Sequence, residues 1–216
     1  MKNIVIVNFK TYKSGKDVLK LARALESSRR QASGVRRQWN LVVGVSACDV
    51  EEVASKTKLR VFCEHVDGLE AGRNTGFVLP EAVKAVGAVG VFLNHSEHKI
   101  SFEVLKRSVK ICRKVGLEVC VFVASLSEGL RVKKLRPDYL VVEPPELVGG
   151  SRSVSSVKGY VFGISKKLGY PFLVGAGVKS GEDVALALRD GAVGVAVSSG
   201  VVNAKNPGKV FASLVR

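Results

Sequence analysis

The stretch DYLVVEPPELVGGS, residues 138–151, passes from an apolar run to a carboxylate and then to a glycine-rich loop. Tyr139 to Val142 is β-branched and aromatic, which predicts a buried strand. Glu143 stands where that strand stops. Pro144 and Pro145 lack backbone N–H groups and fix their own φ, so the chain leaves the sheet there as a stiff-hinged loop. Gly149-Gly150-Ser151 can bring bare backbone N–H groups up to an oxyanion or phosphate. A base beside an anion-binding loop is a catalytic arrangement; a surface glutamate before a proline turn is the plainer one.

The same strand signal recurs along the chain. Runs at Ile4–Val7, Leu41–Val45, Arg60–Cys63, Val89–Leu93, Val119–Val123, Tyr139–Val142, Phe172–Val174 and Val193–Val197 make eight predicted strands. Helix-compatible segments lie between most of them, among them Gly15–Ser28, Val50–Lys56, Pro80–Val86, Phe102–Val115 and Gly181–Leu188. Eight strand–helix units in 216 residues is about 27 residues each, the size that parallel βα repeats require. This predicts an α/β protein: a compact (β/α)8 barrel occupying residues 1–216 as a single domain. An open doubly wound sheet is the competing fold, but no G-x-G-x-x-G follows the first strand.

In a parallel barrel all strand C-terminal ends meet at one face, where the βα loops build the active site. Polar residues fall at those ends. The first strand runs into Asn8-Phe9-Lys10, the fourth into Asn94-His95-Ser96-Glu97, the sixth into Glu143, the seventh into Gly175-Ala176-Gly177 and the eighth into Ser198-Ser199-Gly200. Each has an ordinary explanation when taken alone. Lys10 is one of 34 basic residues, His95 can be a satisfied structural histidine, and the glycine and serine segments can be tight turns. Together they describe a mouth with a base, a fixed cation, a histidine and phosphate-sized loops on neighbouring strands. Ser96 is the expected N-cap of the following helix, whose N-terminus would disfavour imidazolium and leave His95 a neutral hydrogen-bond donor.

Composition narrows the function classes. With 46% hydrophobic and 25% charged residues the chain is globular in type rather than disordered. No segment suits a bilayer span, and the aliphatic run after Lys2 is too short for a signal peptide, so a cytoplasmic protein without membrane association is expected. Cys48, Cys63, Cys112 and Cys120 are scattered without C-x-x-C spacing, which predicts structural thiols, and with only His65, His95 and His98 available no metal site is expected. The net charge of +15 clusters at Arg29-Arg30, Arg36-Arg37, Arg131–Arg136 and Lys166-Lys167, in segments that fit solvated helix faces. Aromatic residues are 6% of the chain and do not interleave with the basic runs, which argues against a nucleic-acid partner. A positive molecule also concentrates anionic substrates around itself.

On these residues the chain resembles the triosephosphate isomerase family in its short archaeal type. The matching segments are VNFKTY at 7–12, TGFVLPEAVK at 75–84, GAVGVFLNHSEHK at 87–99, DYLVVEPPELVGG at 138–150, GAGVKSGEDV at 175–184 and SSGVVNAKNP at 198–207. The resemblance implies a TIM barrel that interconverts D-glyceraldehyde 3-phosphate and dihydroxyacetone phosphate without cofactor or metal. It implies Glu143 as the base and His95 as the electrophile, with Asn8 and Lys10 binding substrate and Lys10 also stabilising the oxyanion. Glu97 would stand behind Lys10. A lid from Pro144 to Ser151 would grip phosphate through Val148, Gly149 and Gly150, completed by Gly177, Ser198 and Ser199. Thr75 would reach a neighbouring subunit's site in a homodimer or homotetramer.

Three features depart from the family pattern. Ser151–Pro171 is short for a sixth helix and is interrupted by Gly159 and Gly163, which predicts a truncated or irregular element. Ala124 stands where a cysteine is usual, a change expected to loosen packing near Glu143. The third departure is the charge. Two other functions remain open on the sequence: another phosphate-binding barrel isomerase or epimerase, and a catalytically weak relative that binds nucleic acid through its basic surface.

Overall fold

The structure, a computed structural model, describes residues 3–32, 39–143, 153–154 and 159–215. Eight parallel strands form a closed barrel in chain order: β1 Asn3–Asn8, β2 Trp39–Val45, β3 Arg60–Cys63, β4 Gly90–Leu93, β5 Glu118–Val123, β6 Tyr139–Val142, β7 Leu173–Val174 and β8 Gly194–Val197. Around them run α1 Lys16–Ala32, α2 Val50–Lys56, α3 Pro80–Ala85, α4 Phe102–Lys114, α5 Leu126–Val132, α6 Tyr160–Leu168, α7 Gly181–Arg189, α8 Ser199–Val202 and α9 Pro207–Leu214. The predicted (β/α)8 architecture is therefore present, with every predicted strand in place to within two residues at either end.

The period-two alternation of each strand divides the core into two layers. Val5, Val7, Val43, Val91, Val121 and their neighbours point outward and pack under the helices. Ile6, Val42, Phe62, Phe92, Cys120, Phe122, Val141, Leu173 and Ala196 point inward and fill the lumen. Phenylalanines dominate that interior. Phe92 meets Phe122 edge-on at 5.2 Å between ring centroids and Phe62 at 5.8 Å. Glycine on a nearby strand makes the room. A Cβ at Gly44 would stand 2.0 Å from the Phe92 ring, and one at Gly90 would stand 2.4 Å from the Phe62 ring.

Local chemistry sets the helix ends. Ser101 caps α4 by accepting from the Val104 N–H at 3.3 Å, and Ser180 and Asp183 form a reciprocal capping box at the start of α7. At the seam between the chain ends, Trp39 Nε1 donates to the Val215 carbonyl at 2.9 Å. There α9 crosses close over α1, since a Cβ at Gly208 would stand 2.2 Å from Ser28 Oγ.

Three expectations are corrected or narrowed. Ser96 does not cap the helix after β4; it lies in a turn in which the His98 N–H donates to the His95 carbonyl, and Ser101 is the cap. The sixth helix is short but regular: Gly159 precedes it as a left-handed N-cap with φ 77°, and Gly163 lies within it on an open side where no atom would meet a Cβ. Among the thiols, Cys63, Cys112 and Cys120 are buried as expected, but Cys48 is exposed.

The lumen predicts its own test. Gly44→Ala should overpack the Phe92 ring and cost about 1–3 kcal/mol. Phe92→Leu in the same chain should recover part of that loss; equal urea midpoints for wild type and Gly44→Ala would show that the interior is not packed as described.

Candidate active site

A cavity of about 580 Å³ opens at the C-terminal ends of the strands. Asn8, Lys10, His95, Glu97, Glu143, Gly177, Ser198 and Ser199 all line it, together with Ser96, Phe122 and Gly175. Eight of the residues singled out in the sequence thus converge on one space. Val148, Gly149 and Gly150 lie outside the described residues. Thr75 is exposed on the loop between β3 and α3 and is not brought to this cavity.

Glu143 follows the last residue of β6 and is anchored by its own N–H donating to the Val123 carbonyl at 2.8 Å. Its side chain is buried, and Oε2 accepts from Ser96 Oγ at 3.3 Å. The glycine beside it is sterically required: a Cβ at Gly175 would stand 2.4 Å from Val141 and 2.6 Å from Glu143 Cγ. Burial raises the Glu143 carboxyl to about 7, against the opposing pull of Lys10 and the Ser96 hydroxyl.

His95 stands opposite, with Nε2 3.6 Å from Glu143 Oε2 and its ring edge-on to Phe122 at 4.9 Å. Its Nδ1 accepts from the Glu97 backbone N–H at 3.2 Å, so the neutral ring carries its proton on Nε2, facing the cavity. Burial, with the Lys10 charge adding to it, lowers the His95 pKa to about 4. The sequence predicts neutrality from a helix N-terminus at Ser96; it comes instead from burial, a nearby cation and one backbone donor.

Lys10 adopts left-handed backbone with φ 49°, uncommon for a residue with a side chain. Its N–H donates to Asn8 Oδ1 at 3.0 Å, and Nζ meets Glu97 Oε1 at 2.7 Å. On the far side, Ser198 Oγ is buried with no hydrogen-bond partner among the described residues. Gly177 has φ 71°, and its carbonyl accepts from the Val154 N–H at 2.8 Å.

Sequence reasoning misses the frame around these groups. Asn94, also left-handed with φ 59°, donates from Nδ2 to the Phe122 carbonyl at 2.9 Å and to Glu128 Oε1 at 2.7 Å. Glu128 further accepts from Lys99 Nζ at 2.8 Å and the Ala124 N–H at 2.7 Å. Burial opposes the Glu128 charge, but Lys99 and these donors outweigh it and hold the carboxyl below its ordinary range. The network bolts the His95 turn to the start of α5, and Ala124 takes part through its backbone. The S-x-x-E spacing of Ser125 and Glu128 is the sequence signal that could have found it, since it marks a helix start with a back-reaching carboxylate.

The chain matches the family model for triosephosphate isomerase over residues 3–216. The chain belongs to the triosephosphate isomerase family. It is 34% identical to the triosephosphate isomerase of Methanosarcina acetivorans over 98% of this chain and 97% of that protein. It is 35% identical to that of Metallosphaera sedula over 98% and 94%, respectively. These relatives are archaeal, in keeping with the short archaeal type inferred from the motifs. The fold is shared with the crystal structure of triosephosphate isomerase from Bartonella henselae, at TM-score 0.73 and 15% identity over 99% of this chain and 98% of that one.

A neutral His95 is directly observable. Nitrogen-15 NMR should show Nε2 protonated and Nδ1 bare, with no titration between about pH 5.5 and 9. A midpoint near 6.5 would contradict the burial and the Lys10 contact described above.

Proposed function

We propose that Glu143 and His95 carry the isomerase chemistry of this family on the cavity at the barrel mouth. The enzyme interconverts D-glyceraldehyde 3-phosphate and dihydroxyacetone phosphate, a step shared by glycolysis and gluconeogenesis. The observation that carries the role assignment is the opposed pair: a buried carboxyl and a neutral imidazole 3.6 Å apart over one cavity.

Glu143 takes the proton from the carbon next to the carbonyl, and the electron pair moves to the carbonyl oxygen as an enediolate forms. The His95 Nε2–H polarises that oxygen and then moves protons between the two enediolate oxygens. Glu143 returns its proton to the neighbouring carbon, so no atom is gained or lost. Lys10 holds positive charge beside the developing oxyanion, and Asn8 fixes the Lys10 backbone. A carboxyl tuned to about 7 is a base whose proton affinity suits neutral pH. Triosephosphate isomerase is itself a standard illustration of a glutamate base paired with a neutral histidine, and the pair in this chain follows that known logic.

The phosphate falls to Gly177, Ser198 and Ser199, with the Ser198 hydroxyl, which has no partner among the described residues, as the supporting observation. Val148, Gly149 and Gly150 complete the grip as a lid that excludes water from an enediolate prone to expel phosphate. No cofactor or metal enters the reaction. The whole of residues 1–216 serves as one catalytic domain, and the site of action is the cytoplasm; among the described residues no helix is long and apolar enough to cross a membrane. Nucleic acid is not a partner in this function.

Glu143→Gln should lower kcat by about 10³-fold or more. It should also stabilise the protein above pH 7. A carboxyl raised from 4.5 to about 7 on folding loses stability as pH rises through that window, by on the order of 3 kcal/mol once fully ionised. In wild type, kcat/KM should fall on the acid side with a midpoint near 7, because Glu143 must be ionised to act. Unchanged turnover in Glu143→Gln would overturn the assignment.

Thr75, exposed beside Gly76 and the half-exposed Phe77, serves a neighbouring copy's site in a homodimer or homotetramer. Light scattering should return at least twice the 23.1 kDa chain mass at micromolar concentration; a stable monomer with full activity would refute this.

A further inference from the structure

His65 and His98 are titratable groups that the reaction does not use, and neither lines the cavity. They stack on one another, with ring centroids 4.0 Å apart and planes 25° from parallel. His65 belongs to the loop between β3 and α3, residues 64–79, which also carries Thr75. His98 belongs to the turn after β4 that begins at His95, and its N–H donates to the His95 carbonyl at 2.9 Å. The stack therefore joins the loop of Thr75 to the turn of the active-site histidine.

Backbone contacts hold the His65 side as well. The His65 carbonyl accepts from Cys63 Sγ at 3.0 Å, and burial raises that thiol to about 11, so it stays a donor across the neutral range. Two residues on, the Asp67 N–H donates to the Val78 carbonyl and Asp67 Oδ2 accepts from the Val78 N–H, each at 2.8 Å. These two bonds close the neck of the loop. Asp67 Oδ1 stands 3.5 Å from His65 Nε2, so ring and neck share one carboxylate. We propose that the His65–His98 stack is a proton-operated clasp: it fastens the neck of the 64–79 loop to the His95 turn, and acidification opens it when both rings carry charge. That opening also releases a neighbouring subunit is a consequence that rests on the role of Thr75 given above.

The groups around the pair set the direction of the switch. Burial lowers the His65 pKa and charge on His98 lowers it further, while Asp67 pulls it back. His98 is flanked by Glu97 and Lys99, which pair with Lys10 at 2.7 Å and with Glu128 at 2.8 Å. Glu64, beside His65 in the chain, is raised to about 7 by burial, so it is a neutral acid at the pH where a histidine charges. One proton on the pair is balanced by Asp67. A second sets two cations face to face with that carboxylate to share, so the pair titrates in two separated steps. Because folding lowers the His65 pKa, the stability this contributes is full above the unfolded value of about 6.5 and is lost as pH falls through the lower, folded one.

The test is amide exchange and imidazole NMR on the whole protein at pH 8 and pH 5, comparing wild type with His98→Phe, which keeps a ring on His65 but takes no proton. In wild type the protection of the Asp67 and Val78 amides, corrected for intrinsic exchange, should fall on the order of tenfold or more from pH 8 to pH 5. In His98→Phe it should hold within about twofold. The His65 titration midpoint should move up toward the ordinary value of about 6.5 once the neighbouring ring cannot charge. Equal protection at the two pH values in wild type, the same loss in His98→Phe, or a His65 midpoint that does not move would each overturn the clasp. If His98→Phe does not fold, His98→Gln is read by the midpoint shift alone. Light scattering on the same samples should show assembled wild type at pH 8 and smaller species at pH 5. A monomer at pH 8 would instead sink the subunit role of Thr75, while the exchange and NMR arms would still decide the clasp.

Discussion

Eight strands close into a ring only if β8 lies flush against β1, and at that contact the Ile4 carbonyl leaves no space for a side chain on Gly194. A Cβ there would stand 2.1 Å from the oxygen. Everything functional depends on that closure. It makes the register from Asn3↔Trp39 round to Val7↔Val197 continuous, and it brings the C-terminal ends of β1, β4, β6, β7 and β8 to one mouth. Lys10, His95, Glu143, Gly177 and Ser198 are far apart in the chain and meet because of it.

Within the mouth, desolvation separates two titratable groups into complementary states. The same burial that raises Glu143 lowers His95, because removing water penalises the charged form of each and those forms have opposite sign. Lys10 reinforces the effect on the histidine and tempers it on the glutamate. The phenylalanine lumen supplies the dry floor, with Phe122 packed against both Phe92 and the His95 ring. Core packing and site electrostatics are thus one construction.

Much of this is legible in residue order, because period-two runs and their polar ends are local patterns. The barrel, the strand limits and the convergence of Asn8, Lys10, His95, Glu97, Glu143 and Ser198 all follow from them. What escapes depends on pairs distant in the chain. Gly44 and Phe92 make sense only once β2 and β4 share a lumen, and Gly175 reads as an anion-binding glycine until the Glu143 side chain is seen to occupy its Cβ position. Ser96 reads as the cap of the helix after β4, but the turn at His95–His98 holds it short of that helix, which Ser101 caps. Gly159 and Gly163 read as interruptions of the sixth helix, but one lies before it and the other on its open side.

The ring of strands has unequal links. β7 is two residues long and is joined to β6 and β8 by two register pairs on each side, while β1 and β2 share six. A closed barrel has no free edge from which to fray, so solvent enters first where the ladder is shortest. That place is the stave between Glu143 and the Ser198 segment, and it leads directly into Gly175–Gly177. Amide exchange there reports local breathing of the barrel wall rather than global unfolding, and the cavity flank it loosens is the one to which Val154 is tied. The wall is therefore held by the fewest ladder pairs between the strand that leads into Glu143 and the strand that leads into Ser198.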